Sequence, residues 1–236
     1  MVADLAGIAV LGLVAGALTT VSGMGGGMIL VFALSWAIGP KAALVVSAPV
    51  LLLGNLHRGW LYRADLDTAM VKLLLIGLIP GTLAGALLTG VMPDGAIKIV
   101  MVVAALAALA RALTRTSWTL RAAHLAPVAA LVGAFSATAG GAAALLGPLV
   151  LATGLTGRRY LAVVAVGAVA MHVTRLAGYG AAGLWDGAFI PLIVGLTGFL
   201  LLGNLAGDRL RQHIPARTGA ALEVATPVLC ALIGLI

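Results

Sequence analysis

The sequence predicts an all-α polytopic membrane protein, and three observations carry this prediction. Of its 236 residues, 62% are hydrophobic and only 9% are charged, which gives a mean hydropathy of +1.18; soluble domains are about 25% charged. Apolar stretches follow one another along the whole chain, and a spanning helix needs roughly 20 mostly apolar residues. The stretches do not alternate apolar with polar residues, which favours helices over a closed barrel.

Ten apolar segments are predicted, joined by short polar connections. They are residues 5–22, 27–38, 42–56, 69–91, 96–113, 124–139, 142–155, 160–176, 187–207 and 218–236. Because the connections are short, we expect no soluble catalytic module and no enzymatic activity. The first ten residues lack a basic stretch, so we expect no cleaved signal peptide.

The chain repeats itself at half length, which is common in transporters. Residues 16–107 align with residues 133–230, and three polar positions recur in register. These are Asn55, Arg58 and Tyr62 in the first half, and His172, Arg175 and Tyr179 in the second. We therefore predict two repeats of about five helical segments each: a first membrane repeat at 1–110, a cytoplasmic linker at 111–123 and a second membrane repeat at 124–236.

The basic residues predict how the two halves are oriented. A net charge of +7 would suggest nucleic acid in a soluble protein, but here the charges lie in short connections and indicate loops on the inner side of a membrane. If each half crosses an odd number of times, ten basic residues come together: Arg58, Arg63, Arg111, Arg115, Arg121, Arg158, Arg159, Arg209, Arg211 and Arg217. Lys41, Lys98 and Arg175 fall opposite. This split favours two inverted halves, with both termini outside the cytoplasmic (inner) membrane.

Glycines interrupt an apolar segment in each half, at Gly25–Gly26–Gly27 and at Gly140–Gly141. A helix that begins at such a break presents unpaired N–H groups and a partial positive charge, which together favour anions. We expect two such helix ends to meet near the midplane. The alternative is close helix packing by small residues, which we prefer for the glycines of residues 81–90.

The predicted anion site combines the two breaks with the repeated polar positions. The candidate substrate-binding residues are Ser22, Gly23, Gly25, Gly26, Gly27, Asn55, Arg58, Gly140, Gly141, His172 and Arg175. For the arginines the alternative is an interfacial side chain that extends to the headgroups. Glu223, inside the last apolar segment, is a candidate for proton coupling.

One enzymatic alternative remains open at this point, an intramembrane serine protease that would use Ser22 and His172. Rhomboid-type proteases carry G-x-S-G, whereas Thr20 stands at the first glycine position here. The run "GMGGGM" lacks the third glycine of a dinucleotide fingerprint, because Met28 stands in its place. We expect no cofactor, and no set of residues has the spacing of metal ligands.

The sequence resembles the sulfite exporter TauE/SafE family, also called the toluene-sulfonate uptake permease family. The resemblance covers nearly the whole chain and is carried by "SGMGGGMILV" at 22–31, "NLHRGWLYRADLD" at 55–67, "GLIPGTLAGALL" at 77–88 and the half-length repeat. The second glycine motif keeps only Gly140 and Gly141 of the family's fuller pattern. The resemblance implies a secondary carrier for sulfite, organosulfonates or related sulfur compounds.

These observations together predict a secondary transporter that moves a small sulfur-containing anion, an organosulfonate or sulfite, by alternating access. The expected partners are the anion and the lipid bilayer, with a proton or sodium ion as the candidate coupling ion. No nucleic-acid partner is expected, and a homo-oligomer remains an open alternative.

Overall fold

The computed structural model of the protein describes residues 5–22, 25–114, 119–211 and 213–235. Within these ranges the chain is helical, with no strand. Ten α-helices follow one another: α1 (Leu5–Ser22), α2 (Gly26–Ile38), α3 (Pro40–Leu61), α4 (Thr68–Val91), α5 (Asp94–Thr114), α6 (Ala122–Ala139), α7 (Ala142–Leu151), α8 (Gly157–Ala181), α9 (Ile190–Arg211) and α10 (Ala216–Gly234). The all-α prediction is confirmed, and each predicted apolar segment corresponds to one helix.

Several boundaries differ from the prediction for local reasons. Helix α3 continues to Leu61 through residues predicted as a connection, and the chain turns only at Tyr62. Asp67 then starts α4, because its side chain accepts a hydrogen bond from the backbone N–H of Met70 at 3.0 Å. Helix α7 ends before the predicted residue 155, since Gly154 has a φ of 85° that a helix cannot continue.

In the described part of the chain, five helices are long and apolar enough to cross a membrane: α3, α4, α5, α8 and the stretch Gly187–Leu210, which includes all of α9 except its last residue. Shorter apolar helices accompany them, among them α1, α2, α6 and α10. This set of spans confirms a polytopic membrane protein. The number of crossings in each half remains a prediction.

The first glycine run marks the beginning of α2 and is not a bend inside one continuing helix. Gly26 packs so closely on α1 that an added Cβ would overlap the carbonyl oxygen of Ala15 and the side chain of Thr19. The chain must therefore reverse between α1 and α2. It reverses again at Gly39, because Gly27 at the start of α2 faces Leu51 in the later part of α3.

Glycines also allow two pairs of parallel helices to touch along their backbones. In the α4–α6 pair, a Cβ added at Gly77, Gly81 or Gly85 would overlap the carbonyl oxygens of α6. In the α1–α9 pair, Gly16 and Gly203 have the same role. These contacts confirm the packing interpretation for residues 81–90.

The two halves have the same order of helices, and the first helix of each half packs against the other half. Each contains one helix, a glycine break, a shorter helix and three longer ones. Helix α1 packs on α9 of the other half, and its counterpart α6 packs on α4. Helix α5 includes Thr114 and α6 begins at Ala122, so both helices extend into the predicted linker 111–123. The inverted relation and the domain limits stay predictions.

Candidate functional site

The beginnings of the two short helices lie around one cavity. Its water-accessible core has a volume of about 40 Å³, more than the roughly 10–15 Å³ that one water molecule needs. It is lined by Gly25, Met28, Ala108, Arg111, Ala112, Ala144, Glu223, Thr226 and Pro227. We call this space the break cavity. It joins α2, α5, α7 and α10.

Glycine builds both breaks, but in different ways. Gly25 precedes α2 in a right-handed conformation, and no side chain caps that helix. Gly140 and Gly141 have φ values of 75° and 66°, which L side chains rarely adopt. A Cβ added at Gly141 would lie 3.6 Å from the end of Met28, so the two breaks touch. The first turns of α2 and α7 therefore lie side by side.

Two charged side chains complete the lining of the break cavity. Arg111, in the last turn of α5, is half-buried, and Glu223 on α10 is exposed. Thr226, one turn after Glu223, is buried. Arg111 was predicted only as a loop charge, because its helical position and neighbours depend on how α5 meets α10. Thr226 was not predicted at all.

Tyr160, near the beginning of α8, is half-buried outside the lining of the break cavity, and the charges of Arg111, Arg58 and Glu223 act on its hydroxyl. No sequence motif points to Tyr160, because the two arginines before it indicate a loop at the membrane surface.

Arg175 is fully buried and held by neutral partners. Its Nε donates a hydrogen bond to the Tyr179 hydroxyl at 3.0 Å, and its Nη2 reaches the Leu44 carbonyl at 3.4 Å. Its Nη1 lies 3.5 Å from His172 Nδ1. The Tyr179 hydroxyl in turn donates to the Ala137 carbonyl. That carbonyl lies in the last turn of α6, where the break leaves acceptors without helical donors.

Arg58 lies elsewhere, beside a separate cavity of about 150 Å³. This cavity is lined by Thr20, His57, Arg58, Leu61, Tyr62, Asn204, Leu205 and Asp208. It lies at the C-terminal ends of α1, α3 and α9, whose dipoles disfavour an anion. Each cavity also has one acidic side chain, Asp208 here and Glu223 at the break cavity, so the helix ends are what distinguish the two.

The predicted site residues are thus divided among three places. Gly25 lines the break cavity; Gly26, Gly27, Gly140 and Gly141 form the breaks beside it. His172 and Arg175 form the buried network, and Arg58 borders the second cavity. Asn55 is buried, and its Nδ2 donates to the Leu51 carbonyl at 2.9 Å. Gly23 and the side chain of Ser22 lie outside the described part of the chain.

The protease alternative gains no support from this arrangement. His172, the candidate base, has Arg175 against its Nδ1, and a neighbouring cation disfavours proton uptake by a base. Within the described ranges, no group of three or more His, Cys, Asp or Glu side chains could hold a metal ion.

Comparison with known proteins gives one result. A search of curated proteins and a search of solved structures each found no match. The family model described as sulfite exporter TauE/SafE matches residues 8–236, which includes both breaks, the break cavity and the Arg175 network. A match over nearly the full length identifies the family, and the chain belongs to the sulfite exporter TauE/SafE family.

Proposed function

We propose that the protein is a secondary transporter that carries an organosulfonate or sulfite across the cytoplasmic membrane by alternating access. Membership of the TauE/SafE family supports membrane transport of a sulfite or sulfonate anion. The proposal adds the identity of the substrate, the alternating-access mechanism and the cytoplasmic membrane as the location. Transport would run on an ion gradient or on the gradient of the anion itself.

One observation carries the proposal: the starts of α2 and α7 meet at a cavity that Arg111 also lines. Each helix start contributes a partial positive charge and N–H donors, and Arg111 contributes a full positive charge. A sulfonate or sulfite group presents several oxygens that accept such hydrogen bonds. The break cavity is therefore the proposed binding site for the anion.

The second cavity is a poorer candidate although it is larger. Arg58 is its basic side chain, but three helix C-termini and Asp208 surround it. Helix C-termini carry a partial negative charge that favours cations. The buried position of Arg58 is explained by these carbonyl ends, so we do not place the substrate there in this conformation.

Arg175 and His172 are proposed as substrate contacts of another conformation. In the structure they are sealed by Tyr179, Leu44 and the end of α6. If the two inverted halves exchange their arrangements during transport, the surroundings of Arg58 and Arg175 exchange as well. The site would then be reached alternately from the two sides.

Uptake into proteoliposomes tests the function. We expect uptake of sulfonates or sulfite in preference to carboxylates, and Arg111→Gln should weaken anion binding about ten- to hundredfold. A hydrogen bond to a charged group contributes about 1.5–3 kcal/mol. Arg209→Gln is the matched control, because Arg209 is exposed and lies outside the break cavity. Transport of a cation or a neutral solute without any effect of anions would refute the proposal.

A further inference from the structure

We propose that Glu223 is the proton-binding residue that couples anion transport to the proton gradient. This inference rests on the proposed function and deepens it. Glu223 is the only glutamate of the chain. Among the acidic residues of the described ranges, the other five lie in loops or within the first or last turn of a helix, whereas Glu223 lies two turns into an apolar helix.

The position of Glu223 places a carboxylate next to the proposed anion. Both Glu223 and Arg111 line the break cavity, yet no ion pair joins them; within the described ranges the ion pair is Arg158–Asp65. Arg111 and the two helix starts are the positive charges at the lining of this cavity. An entering anion takes over those positive charges and repels the carboxylate, which favours the protonated acid.

The helix around Glu223 also leaves one main-chain carbonyl without its helical donor. Pro227, four residues later, has no N–H, so the main-chain carbonyl of Glu223 loses its helical donor. Pro227 lines the same cavity. A protonated carboxyl and the freed carbonyl are therefore on the same turn of α10, at the edge of the cavity.

The charged groups that face Glu223 come from few elements. Helix α10 packs on α5, α2 and α1. Arg111 is the facing charge from α5, whereas Asp94 and Lys98 lie at the other end of that helix. The described parts of α1 and α2 carry no titratable side chain. From α8, the Tyr160 hydroxyl is the group on which the charge of Glu223 acts. None of the four histidines lines the cavity.

The proton balance of the step is simple. The Glu223 carboxylate takes one proton from the side at which the anion enters, and the carboxylic acid releases it where the anion leaves. One proton therefore travels with each anion. A monovalent sulfonate is then carried without net charge, so its uptake follows the pH gradient and does not respond to the membrane potential.

Binding of methanesulfonate to the purified protein tests the inference, because a sulfonate stays ionised at every pH in which proteins fold. We expect affinity to rise as pH falls, by at most about tenfold per pH unit for one linked proton. Glu223→Gln should remove this dependence. Asp208→Asn, which removes an exposed carboxylate outside the break cavity, should keep it.

Calorimetry of the unmodified protein in buffers of different ionisation enthalpy gives a second measurement that needs no variant. Uptake of about one proton per anion is the expected result. Binding without proton uptake would overturn the role of Glu223 and leave the proposed function intact. Absence of methanesulfonate binding at every pH would instead contradict the proposed function, and the coupling with it.

Discussion

Arg58 and Arg175 occupy matching positions in the two halves but have different surroundings. Arg58, 9% exposed, borders an open cavity at the end of α3. Arg175, 0% exposed, lies inside α8 against Tyr179, His172 and the Leu44 carbonyl. Arg58 compensates helix C-termini near water, whereas Arg175 is a buried cation whose described partners are all neutral.

The difference indicates which arginine the fold needs for stability and which it retains at a cost. A guanidinium has five N–H donors, and Arg175 has three acceptors, two of them at 3.4 and 3.5 Å. Burying a charge without a countercharge is unfavourable. A residue kept in such a place is a candidate for function, and an entering anion would supply the missing countercharge.

The two glycine breaks also differ in the reason why each requires glycine. In the first half, Gly26 is required by close contact with α1, while Gly27 has more room. In the second half, Gly140 and Gly141 are required by their backbone angles. One break is therefore limited by packing and the other by conformation.

The largest expected effect is on Arg175. Arg175→Met should stabilise the fold by about 1–4 kcal/mol, because it removes the cost of burying a charge, and it should abolish transport. Arg58→Met should instead destabilise the fold by about 0.3–1 kcal/mol, because it removes a cation from helix C-termini whose partial negative charge favours one. Cys230, the single cysteine, is buried, so its reaction with a thiol-reactive dye reports unfolding on heating.

Destabilisation of Arg175→Met with unchanged transport would assign Arg175 a structural role and remove it from the proposed pathway. Stabilisation with unchanged transport would mean that the charge serves neither purpose. Either result would contradict the contrast between Arg58 and Arg175.

A smaller effect distinguishes the glycines of the first break. Gly26→Ala should destabilise the protein by about 1–3 kcal/mol, since its Cβ would overlap the backbone of α1. Gly27→Ala should cost less, because its Cβ would lie 3.3 Å from the mobile end of Leu51. The same Cys230 assay measures both. Equal effects would show that contact with α1 is not what requires Gly26.

The orientation of the two halves in the membrane can be measured with cysteine substitutions that should hardly change the fold. In a Cys230→Ala background, single cysteines replace four exposed residues: Gly95, Thr119, Gly187 and His213. A membrane-impermeant thiol reagent applied to intact cells should label residues 95 and 187 and leave 119 and 213 unlabelled. Labelling of only one of 119 and 213 would restore parallel halves.

Much of the fold could be predicted from the local sequence, whereas less of the candidate site could. Apolar length predicts helices one by one, and glycine runs mark the breaks, since both properties depend on neighbouring residues. The grouping of Arg111 and Glu223 depends on how α5 and α10 meet. Periodicity within a segment carries no information on that meeting.

The repeat predicted equivalent partners but could not predict their different roles. Arg58 and Arg175 have the same spacing to a tyrosine, and only their surroundings in the fold distinguish them.

A structure determined with bromoethanesulfonate bound tests the central claim most directly, because the anomalous signal of bromine locates the ligand without assumptions. We expect the peak in the break cavity, with the sulfonate near Gly25 and Ala144 at the helix starts and within reach of Arg111. A peak beside Arg58, or the absence of any peak in the break cavity, would contradict the claim that the two helix starts form the anion site.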